Sequence, residues 1–252
     1  MRINEHTAVT TEKVLLVPYS AHHVPKYHEW MKDPVGAVSS RYRYESHDQQ
    51  EIQLATASEP LTLDQEYAMQ QSWRADADKL TFIICRSGLA LPATREGRLD
   101  VGSMIGDVNL FISLAEDEAS KPIFLGELEL MIAERGEHRK GYGRCALLAF
   151  LQYIIRHEMD ILQEFRRAQP SSQPLGHLRR FDHFAVKIGE SNHRSIALFE
   201  GLGFHKTSGA PSYFGEYELR LGRDGVDKLL SSASRMTKFV EGYEEIGYSC
   251  PS

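Results

Sequence analysis

The chain has 252 residues, of which 42% are hydrophobic and 25% charged, and a formal net charge of −6. These are the proportions of one globular domain with insertions, large enough to bury its own core, and the acidic balance argues against broad nucleic-acid affinity, which needs a basic face. No run approaches the roughly 20 apolar residues of a membrane-spanning helix, the first residues carry no apolar leader, and three cysteines without a CxxC pair suggest neither a disulfide framework nor a zinc knuckle.

Lys13 to Pro18 reads as a first strand, and Val24 to Lys32 as a helix whose Tyr27 and Trp30 share a buried face, stopped by Pro34. Residues 35–50 are polar and aperiodic and read as a surface loop. Thr62 is a good N-cap with Asp64 and Glu66 in the first turn, so a helix is expected to about Ala77. Leu80 to Cys85, Ser103 to Ile112 and Phe124 to Ala133 are β-rich runs separated by turn-forming segments at Leu89 to Asp100 and Glu116 to Pro122, the pattern of an antiparallel meander. A helix from Gly141 to about His157 then crosses over to a strand at Phe181 to Ile188. The mixed Gln, Ser, Pro and Arg run at 159–180 reads as a solvated loop. A short helix is expected at Asn192 to Gly201, a strand at Phe214 to Leu221, and in the tail one helix, Val226 to Met236, before the chain frays.

The most informative run is Arg139, Lys140, Gly141, Tyr142, Gly143, Arg144, between the apolar strand GELELMIA and the apolar helix CALLAFLQYIIRH. Without a Cβ, Gly141 and Gly143 let the backbone turn sharply and present bare N–H groups to an anion at the positive end of a helix, with three cations beside it. Neither GxxxxGK[ST] nor GxGxxG after a first strand is present, so this is not one of the two familiar nucleotide loops. The run resembles the acyl-CoA loop [QR]xxGx[GA] of the GNAT superfamily of N-acetyltransferases, with His138 where the family places Gln or Arg. ESNHRSIALFEGLGF looks like the second signature of the same family, and YHEWM, ASEPLTLDQEYAMQQSW, IGDVNLF and GELELMIAE together resemble its N-acetyltransferase 9 branch.

The resemblance implies an α/β GNAT acyl-CoA N-acyltransferase fold, a central mixed and mostly antiparallel sheet flanked by helices. It would form a single domain over 1–222, with insertions at about 35–50 and 159–180 and a tail at 223–252. It also implies acetyl transfer from acetyl-CoA to an amine, on a protein N-terminus or a lysine, with a cytoskeletal acceptor among the candidates. The alternative is a non-catalytic module that keeps the fold to bind a protein or cytoskeletal partner. No metal is expected, since the eleven histidines include no HExxH, nor a nucleic-acid or membrane partner. A cytoplasmic location is expected, with the nucleus open as well.

Acetyl transfer needs a base for the ammonium, donors for the developing oxyanion, and an exit for the thiolate. Glu127 stands at the offset from Gly141 where lysine acetyltransferases of the superfamily carry their glutamate, and Glu129 shares its strand face and its candidacy. Two carboxylates on one face repel, so one pKa is expected to rise toward a value suited to a base. By resemblance, main-chain groups of Met131, Ile132 and Ala133 meet the pantetheine arm, Arg139 to Arg144 hold the diphosphate, and Asn192, Ser195 and Phe199 also contact the cofactor. Phe199 occupies the position where the family often has a tyrosine acid, which leaves Tyr142, Tyr213 or water for that role.

Overall fold

A computed structural model describes residues 1–31, 61–87, 101–117, 119–169, 179–231 and 236–249. The expected insertion at 35–50 and the turn at Leu89 to Asp100 lie outside the described residues.

Nine strands form one sheet: β1 (Thr7–Thr10), β2 (Val14–Pro18), β3 (Lys79–Arg86), β4 (Met104–Glu116), β5 (Pro122–Ile132), β6 (Phe181–Gly189), β7 (His205–Lys206), β8 (Glu216–Gly222) and β9 (Glu244–Gly247). Their order is β7-β8-β6-β5-β4-β3-β2-β1-β9, antiparallel throughout except where β6 lies parallel to β5. The long β3-β4-β5 meander arises from three β-branched and aromatic runs, the last two joined by a short turn. The parallel partner needs a crossover, which α3 (Tyr142–Arg156) provides.

Both faces of the sheet are covered. On one, α3 buries Cys145 to Leu151, Tyr153 and Ile154 against Val9, Leu16, Phe82, Val108, Leu110 and Leu128, and Phe82 meets Phe150 and Tyr153 edge-on. The other face is closed by α1 (Val24–Met31), whose Val24, Tyr27, Trp30 and Met31 recur at helical spacing and pack on Val17, Ile83 and Cys85. Beside it, α2 (Leu63–Ala75) starts in a capping box: Thr62 N–H donates to Gln65 Oε1 at 2.8 Å, and Gln65 N–H to Thr62 Oγ1 at 3.3 Å.

Three expectations need correction. The run after His157 is a helix at its start, α4 (Glu158–Arg167), because Ile161, Leu162 and Phe165 make one apolar stripe that packs on Phe124; 170–178 lies outside the described residues. The tail helix is α6 (Arg223–Leu230), earlier and shorter than Val226 to Met236, and the described residues 236–249 are ordered rather than frayed. Instead Glu244–Gly247 pairs with β1 as β9, and Phe239, Val240 and Tyr243 pack on the core, so an otherwise bare strand edge is covered. The helix at Asn192 to Gly201 is α5 (His193–Glu200). Among the described residues no helix is long and apolar enough to cross a membrane.

Candidate active site

The rungs between β5 and β6 run from Phe124↔Phe181 to Glu127↔Ala185, with a bulge between Phe124 and Leu125, and go no further. Past Glu127 the two strands diverge, leaving the edge of β5 from Leu128 to Ile132 open toward the gap. Ala133 N–H donates to Ile105 C=O at 2.8 Å, so the alternation of an antiparallel ladder turns Met131 toward β4 as well. The groups that face the gap are therefore those of Leu130 and Ile132. Of the three main-chain contacts expected for the pantetheine arm, Met131 and Ala133 are engaged in the sheet; Ile132 fits, and Leu130 was missed. The missed signal was the parity of the ladder.

His138 explains how the loop closes onto this edge. Its Nε2 donates to Ile132 C=O at 2.7 Å, tying the start of the glycine run to the last rung of β5. The backbone then takes positive φ at Arg139 (60°) and Gly141 (83°), and α3 begins at Tyr142 without a side-chain cap on its N-terminal amides. The N–H groups of Arg139 to Arg144 donate to no acceptor among the described residues. A Cβ on Gly143 would stand 3.2 Å from Leu130 Cδ2, a tight contact, so glycine eases the close approach of the helix start to β5. Six free amides at a helix N-terminus beside an open strand edge make a cradle that fits a diphosphate and an extended thioester arm.

The expected loop cations divide. Arg139 is exposed at the rim, Lys140 Nζ pairs with Glu137 Oε2 at 3.0 Å, and Glu137 also holds Arg86 at 3.2 Å. Arg144 is engaged elsewhere, its guanidinium 5.3 Å from the centre of the Phe239 ring. Lys13, which sequence reasoning passed over, arrives instead from the β1–β2 turn and lies 5.3 Å from the centre of the Tyr142 ring.

Glu127 and Glu129 project from the same face of β5, as expected, but their surroundings differ. Lys187 of β6 donates to Glu127 Oε2 at 2.8 Å, and that hydrogen bond chiefly raises the lysine's own pKa. Among the described residues Glu129 has no such partner. Its side chain is open to solvent, yet protein surrounds it closely enough that partial burial, helped by the Glu127 charge and opposed by Lys187, pushes its carboxyl up to about 7. Directly across the ladder sits Asn109, whose Nδ2 donates to Asp107 Oδ2 at 2.6 Å. Asp107 is 2% exposed, and burial drives its pKa to about 7. These two residues went unseen because their placement beside Glu129 depends on register between strands.

Asn192 caps α5, its Oδ1 accepting from Ser195 N–H at 3.1 Å; the two expected cofactor contacts hold each other at the mouth of the gap. Phe199 departs from expectation. It is 4% exposed and meets Phe204 edge-on in the core, so it lends the cleft neither surface nor a hydroxyl. Tyr213 is 98% exposed in the stretch between β7 and β8.

The profile of the acetyltransferase (GNAT) domain matches residues 13–205. Among similar proteins, Alpha/beta-tubulin-N-acetyltransferase 9 of Homo sapiens is 40% identical over 224 residues, covering 88% of this chain and 86% of its own. The N-acetyltransferase 9-like protein of Schizosaccharomyces pombe is 37% identical, over 88% and 99%. Two solved structures share the fold: spermidine N-acetyltransferase from Vibrio cholerae, in complex with CoA and spermine (TM-score 0.52, 13% identity, 84% of this chain and 97% of that one), and an aminoglycoside acetyltransferase in complex with coenzyme A (TM-score 0.53, 14% identity, 86% and 99%). A splayed parallel pair, free amides at a helix start and carboxylates facing the gap agree with that likeness, and acetyl-CoA is the co-substrate the cradle fits. The chain belongs to the GNAT acetyltransferase family, in its N-acetyltransferase 9 branch, and is an acetyl-CoA-dependent N-acetyltransferase.

Proposed function

We propose that the acceptor is the α-amine of a protein N-terminus and that Glu129 is the base that frees it. The observation that carries this reading is the place of Glu129, on the face of Glu127 and past the last β5–β6 rung, with no ion-pair partner among the described residues; burial and the Glu127 charge raise its pKa to about 7. An α-ammonium titrates at about 7.7–8.0 and a lysine at about 10.4, so such a base is matched to within about one unit to the first and falls more than three short of the second. Relatives named as tubulin N-acetyltransferases make tubulin subunits the first proteins to try.

Acetyl-CoA supplies the activated acyl group. The free amides of residues 139–144 and the rim cation Arg139 hold its diphosphate, and the N–H of Leu130 or Ile132 faces the carbonyl oxygen as charge builds on it. Glu129 takes the ammonium proton, the freed amine attacks the thioester carbon, the C–N bond forms as the C–S bond breaks, and the second nitrogen proton, made acidic by the new acyl bond, leaves to solvent. The sulfur leaves as a thiolate, which a thiol pKa of about 8.5 permits without an acid at the Phe199 position.

The test is transfer from labelled acetyl-CoA to tubulin, to N-terminal tubulin peptides with free or blocked α-amines, and to spermidine, with mass spectrometry locating the label. Acetylation of the free α-amine and none of the blocked peptide is expected. Preferential turnover of lysine side chains or spermidine would overturn the reading.

A further inference from the structure

We propose that Lys13 is a phosphate-binding residue of the acetyl-CoA site, delivered to the cradle by a hairpin that the C-terminal segment holds in place. The proposal rests on the cofactor reading of the cradle.

The position of the amine carries the inference. Lys13 Nζ lies 3.6 Å from where a Cβ on Gly141 would stand, so it borders the glycine whose absent side chain opens the cradle. It also lies over the Tyr142 ring, at the first residue of α3. Its charge and that of Arg144 are felt at the Cys145 thiol one turn into the helix, where they offset part of the rise that burial causes. Among the described residues no carboxylate lies within ion-pair distance of Lys13, whereas Lys140 is held by Glu137. An ammonium resting on a ring face beside six free amides has its donors available for a phosphate oxygen.

The chain has arranged for the amine to be there. Lys13 sits on the turn between β1 and β2, and β1 pairs along its whole length with β9. Glu12 N–H donates to Glu241 C=O at 3.0 Å, and Gly242, at φ 71°, packs against Glu12. The same C-terminal stretch grips α3 at both ends: Phe239 under Arg144 at its start, and Glu245 on His157 at 2.6 Å with Tyr243 under Arg156 at its finish. β1 and β9 both lie outside residues 13–205, which the GNAT profile matches. Strands β1 and β9 thus reach the anion site from outside the matched stretch, while Lys13 and β2 lie at its start.

The experiment is calorimetric titration of acetyl-CoA and of acetyl-3′-dephospho-CoA into the wild type, Lys13→Gln and Lys13→Arg, with the ligand-free melting temperature of each. Lys13→Gln should weaken acetyl-CoA about 5- to 10-fold, a loss that shrinks at high salt, while Lys13→Arg stays within about twofold of the wild type. If the same loss is found with the dephospho ligand, the contact is to the diphosphate; if the loss vanishes there, it is to the 3′-phosphate. Unchanged affinity of Lys13→Gln, or equal losses in the Gln and Arg variants, would overturn the proposal. A wild type that binds neither ligand would sink the cofactor reading itself.

Discussion

Replacing Glu129 by Gln keeps the shape of the side chain and removes its capacity to take a proton, so the loss should fall on kcat. Positioned general bases contribute about 10²- to 10⁴-fold, and a fall of at least about 100-fold in kcat with little change in acetyl-CoA KM is expected. The pH dependence is the sharper readout. With the carboxyl near 7, only the ionised form accepts a proton, so at pH 6 about one tenth of the wild type is competent and kcat stands about tenfold below its plateau. Glu127→Gln removes the like charge that helps raise Glu129 and releases Lys187 from its partner; both changes lower the Glu129 pKa. The acid limb should then move to lower pH by up to about one unit, with a modest drop in plateau because a weaker base remains. Lys187→Met removes the opposing cation and should move the limb the other way. Each variant is measured against wild type on one N-terminal peptide at saturating acetyl-CoA, so that titration of the acceptor amine cancels in the ratio. If Glu129→Gln retained wild-type kcat and its acid limb while Glu127→Gln lost both, the base would be Glu127 and the ion pair with Lys187 no obstacle to catalysis.

Two further substitutions probe the cradle and the buried carboxyl. Gly141→Glu places a negative side chain at a backbone φ of 83° and beside the free amides, and should raise the acetyl-CoA Kd by at least about 100-fold, while Gly141→Asn, which tolerates that φ, should lose far less; equal affinity of the Glu variant in calorimetry would contradict the anion site. Asp107 has a folded pKa of about 7 against 3.8 for the free side chain, so its contribution to stability is full below about pH 4 and is lost as pH rises toward 7. At pH 8 Asp107→Asn should therefore be more stable than wild type by as much as about 4 kcal/mol in urea unfolding, a lead that shrinks between pH 7 and 5; parallel pH profiles for the two proteins would show that Asp107 stays ionised at no cost.

What the sequence disclosed followed the range of the interactions involved. The β3-β4-β5 meander and α3 were legible because each is written in a continuous apolar run, and the cradle because two glycines, the preceding strand and the following helix are neighbours along the chain. α4 was missed since Ile161, Leu162 and Phe165 are diluted by five charged residues across Glu158–Arg167. β1 and β9 are four residues each and owe their extended form to one another across the whole length of the chain, where local propensity carries little information. Lys187, Asp107, Asn109 and Lys13 belong to the same class: each reaches the site through register or through a turn between distant strands. His138 is the instructive middle case. As a departure from the family pattern it weakened the motif, and in the fold its ring donates to Ile132 C=O and closes the loop.

The division of labour between the two glutamates follows from where the strands part. Glu127↔Ala185 is the last rung between β5 and β6, and Lys187, two residues further along β6, reaches back to the Glu127 carboxylate. The ion pair thus spans the fork at its apex, and a longer ladder would bring Leu128 to Ile132 onto β6 and cover the open edge. Glu129 is the next residue on the same face, the first one past the fork, and so the first whose carboxyl has no strand partner to neutralise it. Extending the ladder by two rungs in the same register would set Glu129 opposite Lys187. On the proposed reading, the length of the β5–β6 ladder thus sets which glutamate Lys187 engages and which it leaves to the amine.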